Sequence, residues 1–457
     1  MAGETTYSRS LSNAPGHAMT SGDGEFTSSI NESPLLERLA WLTAVFAVLV
    51  QQGAFVSSPV LSNLVTEVGS TDAQSNIFNT LAIVLNITLI TPLCLLHYRR
   101  LIPVIYGNSA ALALIVLIFL SVAWSIHPDV TFRRGVNYLS TVLTACYLAG
   151  RFDVDEIMKI LSWGIAISAI GSFLFVAAFP IDAIHQPSPW QAWQADDIAG
   201  AWKGVFSHKN VLGHTMTVGV IAELYILTGT KARTSWHAIV LCGCFALVIL
   251  SRSTTAIILS FLYLLGACLF LLLQRARQYF GIGLVVLAVF GSTIAALYWT
   301  YPNLLFEVLG SDATLSGRTE LWAIVLRFIS QKPLLGWGYQ AMWLQTDSIT
   351  IAISEAVGWA VPSAHNALLE VTLELGLVGL VIVMSFVGSS LWRSVRCIMA
   401  GLHSLGTLSL VFFLGVIISG VTETTLVQNQ TIEWVVFNVL SFSCGLEIMR
   451  RRINQTA

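Results

Sequence analysis

The chain has 457 residues, of which 55% are hydrophobic and only 11% are charged. Soluble domains carry about 25% charged residues, so this composition excludes an ordinary soluble protein and indicates a protein that crosses a membrane several times. The formal net charge of −2 is uninformative by itself, and we expect no nucleic-acid partner.

The first 37 residues differ from the rest of the chain. They are rich in Ser, Thr, Gly and Asn, and Arg9 is their only basic residue. They lack the basic and then apolar pattern of a cleaved signal peptide. We therefore predict a disordered cytoplasmic tail at residues 1–37 and a transmembrane domain at residues 38–457, whose first apolar run, from Leu39, serves as an uncleaved membrane signal.

Apolar runs of membrane-spanning length follow along the chain. A bilayer core of about 30 Å needs roughly 20 apolar residues in a helix, and backbone groups in lipid must be hydrogen-bonded within the segment. The sequence therefore predicts an all-α polytopic membrane protein with about twelve transmembrane helices, in a range of ten to twelve. The predicted spans are residues 39–57, 77–96, 108–124, 135–150, 157–179, 211–228, 237–251, 254–273, 280–300, 367–391, 406–421 and 432–449.

The distribution of Lys and Arg predicts the orientation. With the N-terminus in the cytoplasm, most of the 23 Lys and Arg residues fall on the cytoplasmic side, as the positive-inside rule requires. Both termini are then cytoplasmic, and the long connections 180–210 and 301–366 are outer loops, which we expect to form the face of a functional site. Basic residues outside oppose insertion, so we expect some of them to have a function. These residues are Arg133, Arg134, Lys203, Lys209, Arg252, Arg318, Arg327 and Lys332.

The first long connection ends in the sequence KGVFSHKN. Lys209 and His208 precede a predicted helix that begins near Val211, so free backbone N–H groups and the positive end of the helix dipole would lie beside them. This pattern predicts an anion site. The alternative is anchoring at the membrane interface by Trp202, Phe206 and the lysine side chains.

Arg252 lies in a tight outer turn with the sequence LSRSTT. A guanidinium in such a turn needs acceptors, which are either a ligand phosphate or a partner carboxylate such as Glu370 or Glu423. The sequence favours neither the phosphate site nor the salt bridge.

The second long connection contains the stretch LSGRTELWAIVLRFISQKPLLGWGYQ. Its apolar residues recur on one face of a helix that is too short to span a membrane, which predicts an amphipathic helix on the outer leaflet. Arg318 falls in the first turn of this helix, and PLLGWG ends it. The apolar stripe consists of Leu321, Trp322, Ile324, Val325, Phe328 and Ile329.

The chain re-enters the membrane in the stretch PSAHNALLEVTLELGLVG. Asn366, Glu370 and Glu374 are spaced four residues apart, so they share one helix face, and carboxylates within a membrane are costly and usually functional. A single His at a helix end, such as His365, is more often structural. His365 nevertheless shares its side of the membrane with three other polar clusters.

The four clusters together place cations, a titratable His and an amphipathic helix on one membrane face. This combination suits a lipid-linked anionic substrate that is reached from the outer leaflet. The sequence contains no phosphate-binding loop, GxGxxG fingerprint or HExxH motif, and no cluster has metal-ligand spacing. We therefore expect neither a cofactor nor a metal.

Three of these stretches, GVFSHKNVLG, SGRTELWAIVLRFISQKPLLGWG and AHNALLEVTLELGLVG, resemble the O-antigen ligase and polymerase superfamily of bacterial inner membranes. The stretch SVAWSIHPDVTFRRG at 121–135 is similar to its ExoQ-like exopolysaccharide polymerase branch. The resemblance covers roughly residues 110–435. It implies a GT-C-like glycosyltransferase architecture with a large periplasmic loop, in a protein of the bacterial inner (cytoplasmic) membrane.

The resemblance also implies a reaction. A polymerase of this kind transfers the growing glycan from undecaprenyl diphosphate to the next lipid-linked repeat unit, without a metal and with inversion at the anomeric carbon. A ligase transfers the glycan to lipid A core or another acceptor. The implied partners are the undecaprenyl-diphosphate-linked saccharide, the lipid bilayer and, as a further candidate, a chain-length-control or export protein.

The resemblance assigns roles to individual residues. His365 matches the catalytic His of the large loop and would take the proton of the acceptor hydroxyl. The basic residues that match the diphosphate site are Arg318, Arg252 and Lys209. The supporting residues are His208, Asn210, Asn366 and Glu370. Among them, Glu370 would orient His365 or Arg252, and Asn366 would cap a helix or bind sugar.

Other functions remain open at this point. The ExoQ-like stretch favours the polymerase over the ligase. A transporter or flippase of lipid-linked oligosaccharide would show paired halves with broken helices in both, whereas we find no internal repeat and the polar groups crowd one face. A scaffold in an export complex would not need His365 beside outer cations.

Overall fold

The computed structural model describes residues 34–54, 77–186, 198–229, 234–275 and 318–456. Met1–Ala40 and Trp41–Ala457 form two compact units. Most of the predicted tail lies outside the described residues. Pro34–Glu37, which we predicted as the end of the tail, instead form the first turn of a helix.

The described residues are almost entirely helical. Ile184 and Trp202 form an isolated antiparallel bridge within the first long connection. The helices are α1 (Pro34–Gln51), α2 (Ile77–Leu96), α3 (Tyr98–Gly107), α4 (Ser109–Leu120), α5 (Pro128–Arg151), α6 (Val154–Ala178), α7 (Pro180–Ala183), α8 (Lys209–Gly229), α9 (Thr234–Leu250), α10 (Thr254–Arg275), α11 (Arg318–Gln331), α12 (Ser348–Val357), α13 (Ala367–Met399), α14 (His403–Ser419) and α15 (Ile432–Thr456).

Six of the described helices are long and apolar enough to cross a membrane. They are α1, α2, α6, α8, α13 and α15, and each coincides with a predicted span. The shorter apolar helices α4, α9, α10 and α14 also coincide with predicted spans, whereas the predicted span at 280–300 lies outside the described residues. The chain is therefore a multi-pass membrane protein, and the number of twelve spans stays a prediction.

Two groups of helices make up the larger unit. In one group α8 packs against α6, α9 and α10, and nearly all of its side chains are buried. In the other group α5 packs between α2 and α15, and α13 packs against α4, α14 and α15. Because much of α8 is buried, its polar start, with Lys209 and Asn210, is held in place at one end of the unit.

Neutral polar side chains join α1, α2 and α5 inside the unit. Asn86 Nδ2 donates to Ser140 Oγ at 2.9 Å and to Thr144 Oγ1 at 3.1 Å. Gln51 Nε2 donates to Ser140 Oγ at 3.1 Å, and Thr141 Oγ1 donates to Gln51 Oε1 at 2.9 Å. All five residues are buried. In a membrane, where water does not compete, such bonds hold helices together.

Helix α13 is interrupted at Gly376, where φ is 65° and ψ is −168°. The segment 333–338, which is the PLLGWG sequence, lies against the interruption and takes up the freed backbone groups. Four bonds of 2.8 to 3.2 Å join Trp337 N to Leu373 O, Gly338 N to Glu374 O, Leu377 N to Pro333 O and Val378 N to Leu334 O. Irregular backbone at membrane depth is tolerated only when it is satisfied in this way.

The amphipathic helix in the second long connection is confirmed as α11. Its apolar stripe packs on the rest of the connection, because Leu321 and Val325 are fully buried against a cluster that includes Trp343, Trp359 and Val361. Trp322 Nε1 donates to Ala364 O at 2.9 Å. The expectation that this stripe rests on the outer leaflet is therefore wrong.

The polar connections meet at one end of the larger unit. Ile126 N donates to Trp337 O at 3.2 Å, and Ala367 N donates to Gly420 O at 2.8 Å. Trp202 N donates to Leu250 O at 3.0 Å. The polar end is thus formed by the segments 121–127, 198–209, 250–254, 332–366 and 420–431. All the predicted site residues lie in these segments or form hydrogen bonds with them.

Candidate functional site

Glu423 is the centre of the polar end. Its Oε1 atom accepts from Arg318 Nη2 at 3.1 Å and from Asn210 Nδ2 at 3.1 Å, and its Oε2 atom lies 3.4 Å from His365 Nδ1. Arg318 Nη1 also donates to Thr422 O. The carboxylate therefore joins the first residue of α11, the start of α8 and the loop before α13.

Glu423 is anionic in this setting. Burial would raise the pKa of its carboxyl group, but the guanidinium of Arg318 and the hydrogen bond and charge of His365 hold the pKa well below the usual range. The side chains of Glu423 and His365 are each 14% exposed, and that of Arg318 is 18% exposed. The three groups are thus shielded from bulk water yet open on one side.

His365 has a left-handed backbone conformation, with φ at 48°. Glu370 fixes the residue before it, because Glu370 Oε2 accepts from Ala364 N at 2.7 Å and Glu370 Oε1 accepts from Trp343 Nε1 at 2.7 Å. The orienting role expected for Glu370 stays a prediction: its carboxylate holds the backbone of the loop at Ala364, next to His365. The Trp359 ring lies 5.5 Å from the His365 ring.

Asn366 is the N-cap of α13. Its Oδ1 atom accepts from Leu368 N at 3.1 Å and from Leu369 N at 3.0 Å, and its Nδ2 atom donates to Val421 O at 3.1 Å. Of the two roles expected for this residue, the geometry shows the cap. The cap also ties the loop that carries His365 to the segment that carries Glu423.

Two histidine rings accept hydrogen bonds from the first backbone amides of α8. Lys209 N donates to His185 Nε2 at 3.1 Å, and Asn210 N donates to His208 Nδ1 at 3.2 Å. Burial lowers the pKa of His208 to about 4 and that of His185 to about 3, so both rings are neutral near pH 7 and can accept these bonds. The expectation of free amides at this helix end is therefore wrong.

Lys209 and Arg252 lie next to each other beside this cap. Lys209 Nζ donates to Arg252 O at 3.3 Å, and Arg252 Nη1 donates to Ala199 O at 3.0 Å. Arg252 is exposed, with φ at 51°. Thr255 and Thr422 share a hydrogen bond of 3.2 Å, which joins this turn to the Glu423 segment. The salt bridge considered for Arg252 is not formed, because Glu370 and Glu423 have the partners described above.

Sequence reasoning missed the central role of Glu423 and named it only as a candidate partner of Arg252. The signal was present in GVTETTLVQNQT, a polar connection between two apolar runs that ends on the same side as the other clusters. His185 was also missed. Neither contact can be read from spacing, because the partners are separated by 58 residues for His365 and Glu423 and by 105 for Arg318 and Glu423.

The arrangement contains a candidate general base, His365, and a carboxylate, Glu423, that can orient it. An ionised Glu423 that faces Nδ1 of His365 favours the tautomer with the proton on Nδ1, and in that tautomer Nε2 carries the lone pair. This is the order of groups found wherever a carboxylate fixes the tautomer of a catalytic imidazole. Arg318, Arg252 and Lys209 add positive charge within the same end of the molecule.

Comparison with known proteins agrees with this description. The sequence profile of the family Wzy_C, described as O-antigen ligase, matches residues 218–384, which contain Arg252, Arg318 and His365. The chain is 27% identical over 326 residues to the exopolysaccharide production protein ExoQ of Rhizobium meliloti (strain 1021), and the match covers 68% of this chain and 70% of that protein. The resemblance predicted from the sequence is confirmed: residues 218–384 are similar to the O-antigen ligase family, and most of this multi-pass membrane protein is similar to an exopolysaccharide production protein.

Proposed function

We propose that the protein is a polysaccharide polymerase that transfers a growing glycan from undecaprenyl diphosphate to the next lipid-linked repeat unit. The observation that carries the proposal is the cluster of His365, Glu423 and Arg318, in which one carboxylate lies within hydrogen-bonding distance of both a base and a cation. The family and the relative support a polymerase or ligase type of function at this cluster.

The reaction uses His365 as the general base. The hydroxyl oxygen of the acceptor sugar attacks the anomeric carbon of the donor, and its proton passes to Nε2 of His365. The bond between the anomeric carbon and the diphosphate oxygen breaks, and its electron pair leaves with undecaprenyl diphosphate. Because attack occurs opposite the leaving group, the anomeric centre inverts. Glu423 stabilises the imidazolium ion that forms.

The cations of the site bind the leaving group. Arg318 shares Glu423 with the base, whereas Lys209 bonds Arg252 and directly precedes Asn210, which also donates to Glu423. Fixed donors in a partly dry site stabilise the negative charge that develops on the diphosphate. The proposed reaction needs no metal, because these side chains supply the positive charge.

The ligase is the second candidate. The name of the matched family favours it, since a ligase would use the same donor and the same base but would pass the glycan to lipid A core. The name of the relative, an exopolysaccharide production protein, favours the polymerase. The acceptor distinguishes the two functions, and the chemistry at His365 does not.

The proposal includes a place and an orientation in the cell. We place the protein in the bacterial inner membrane with both termini in the cytoplasm, a GT-C-like arrangement of about twelve spans, and the polar end in the periplasm. The excess of Lys and Arg in the connections assigned to the cytoplasm supports this orientation.

The test is product formation by purified protein in liposomes that contain an undecaprenyl-diphosphate-linked repeat unit. We expect wild type to form a ladder of lipid-linked oligomers, and we expect His365→Ala to lower the rate by about 10²- to 10⁴-fold. His127→Ala is the matched control, because His127 lies at the same end and pairs with Asp347, at 3.6 Å, outside the cluster.

Three outcomes would change the assignment. Transfer to added lipid A core without a ladder identifies the ligase. Movement of labelled lipid across the bilayer, without product from wild type, identifies a transporter. A ladder of equal intensity from wild type and His365→Ala removes His365 from the mechanism.

A further inference from the structure

A cluster of neutral amide side chains lies at the polar end beside the candidate site. Gln340 Nε2 donates to Gln428 Oε1 at 2.8 Å, and Asn429 Nδ2 donates to Gln340 Oε1 at 2.8 Å. Gln430 and Asn79 form a reciprocal pair, with bonds of 2.7 and 3.1 Å. We call these five residues the amide cluster. The mechanism proposed above uses none of them.

The backbone of the amide cluster is strained. Gln340, Val427 and Gln430 have φ values of 50°, 59° and 50°, in the left-handed region that residues other than glycine rarely adopt. The other described non-glycine residues with positive φ are Arg252 and His365, which belong to the candidate site. Such strain concentrates at functional sites and persists only where the surroundings enforce it.

Buried groups enforce the strained conformation. Tyr339 Oη donates to Val427 O at 2.7 Å, and the guanidinium of Arg134 donates to Gln340 O. Tyr339 is fully buried, and Arg134 is 7% exposed. These buried side chains thus hold Gln340 and the segment 427–430 in place. The side chains of Gln428 and Asn429, in contrast, are only partly buried.

The cluster retains hydrogen-bonding capacity. Among the described residues, Gln428 Nε2 and Asn429 Oδ1 have no partner, so one donor group and one acceptor group are free at the mouth of the cluster. A sugar hydroxyl both donates and accepts, so such a pair of amide groups matches it. A phosphate only accepts and would bring negative charge to a group of uncharged side chains. The cluster therefore suits a neutral, hydroxyl-rich ligand.

The amide cluster and the cations Lys209 and Arg252 adjoin different helices. Lys209 bonds Arg252 O through its side chain and His185 through its backbone amide, at the start of α8. The amide cluster adjoins α2 and α5 instead, because Gln430 bonds Asn79 and its amide donates to Thr141 Oγ1 at 3.4 Å. Glu423 accepts from Asn210 of α8 and belongs to the same segment, 420–431, as Gln428. No more than about 18 Å of extended chain separates Glu423 from Gln428, which is within the reach of an oligosaccharide.

From this placement we propose that the amide cluster is the subsite for the acceptor saccharide. The inference rests on the proposed function, in which the donor diphosphate occupies the cations and His365 receives the proton of the acceptor. Because the donor diphosphate would occupy Lys209 and Arg252 at α8, the second substrate needs a separate place to bind, and the amide cluster at α2 and α5 offers hydrogen bonds to its hydroxyl groups.

Steady-state kinetics of the reconstituted protein test the proposal. We expect the double variant Q428A/N429A to raise the KM for the lipid-linked acceptor about tenfold, which corresponds to the loss of two hydrogen bonds between uncharged groups, with the donor KM and kcat within about twofold of wild type. Q345A is the matched control, because Gln345 is an amide of the neighbouring loop that donates to Val361 O at 3.1 Å and lies outside the cluster. An unchanged acceptor KM in Q428A/N429A, with wild type active, overturns the inference and leaves the proposed function standing.

A binding measurement separates this inference from the proposed function. The probe is a size-fractionated oligosaccharide, prepared by partial acid hydrolysis of the polysaccharide that the host secretes, and its contact with the protein is followed by saturation-transfer NMR. We expect binding to wild type and to Arg318→Ala, at least a threefold weaker signal with Q428A/N429A, and no competition by inorganic pyrophosphate. Displacement of the oligosaccharide by pyrophosphate, or equal binding by Q428A/N429A, contradicts the subsite even if wild type makes no polymer.

Discussion

At the scale of single residues, the site depends on one carboxylate that serves two partners. Glu423 accepts from Arg318 through Oε1 and faces His365 through Oε2. If Glu423 paired with Arg318 alone, its negative charge would offset the positive charge that the diphosphate requires. Because the second oxygen is directed to His365, the same group contacts both the base and the cation of the cluster.

Glu423→Gln tests whether the charge of this carboxylate supports His365. The amide keeps the shape of the side chain but removes the negative charge that stabilises the imidazolium ion of His365. We expect kcat to fall by about 10²- to 10³-fold with little change in the donor KM. Glu433→Gln, in which the changed residue pairs with His214 at 2.8 Å, is the matched control. Equal losses in both variants would show that the effect is not specific to Glu423.

A second residue-scale consequence concerns pH. His208 and His185 are neutral in the folded protein, with pKa values of about 4 and about 3, whereas an unfolded His has a pKa near 6.5. Between pH 4 and 6.5 the unfolded chain therefore binds more protons than the folded chain, so the free energy of unfolding rises with pH over this window and is constant above it. Acidification below pH 6.5 should loosen the start of α8.

Thermal unfolding in lipid nanodiscs checks this prediction. We expect the Tm of wild type to fall between pH 7.5 and pH 5 by on the order of 2–5 °C more than that of H185Q/H208N. In this variant the side-chain oxygens can still accept from Lys209 N and Asn210 N but cannot be protonated in this range. Parallel pH profiles for the two proteins would show that the histidine caps do not titrate as described.

At the scale of elements, the break in α13 at Gly376 helps to position the loop that carries His365. The amides freed at Gly376 and the carbonyls before it are satisfied by the segment 333–338. That segment directly follows α11, whose first residue is Arg318. The break therefore fixes the positions of both the cation and the base, although neither touches Gly376.

Gly376→Ala tests the break. A Cβ atom at Gly376 would lie 2.2 Å from the backbone of Leu334, and φ at this residue is +65°. We expect a loss of about 2–4 kcal/mol in the free energy of unfolding, from backbone strain and from displacement of the segment 333–338. Gly388→Ala in the same helix is the control, because a Cβ atom there meets nothing within 4 Å and alanine favours the helix. Equal unfolding midpoints for the two variants would contradict this account.

The same elements show how far sequence reasoning reaches. Apolar runs of about 20 residues predicted the long helices correctly, because lipid permits little else. The candidate cluster was predicted only in part. His365 and Arg318 were identified through the resemblance, but their joint partner Glu423 depends on left-handed backbone at His365 and on contacts between distant connections. The capping of α8 by His185 was missed for the same reason, since the ring approaches from 24 residues away.

At the scale of the whole molecule, the site functions only if the polar end faces the compartment that contains the substrates. The polar end includes Thr346, which is exposed, whereas Met399 is exposed at the far end of α13. Because α13 is one of the long apolar helices, Met399 should lie on the other side of the membrane. The asymmetry of Lys and Arg predicts that Thr346 lies in the periplasm and Met399 in the cytoplasm.

Labelling of single cysteines tests this orientation in intact cells. In a background without the seven native cysteines, we expect T346C to react with a membrane-impermeant maleimide and M399C to react only after permeabilisation. Both substitutions are at exposed positions outside the site, so activity should be retained and serves as the control for folding. The reverse pattern would place His365, Glu423 and Arg318 in the cytoplasm, where a glycan assembled on the periplasmic leaflet cannot reach them. The proposed polymerase and ligase reactions would then both be excluded, because each draws its donor from that leaflet.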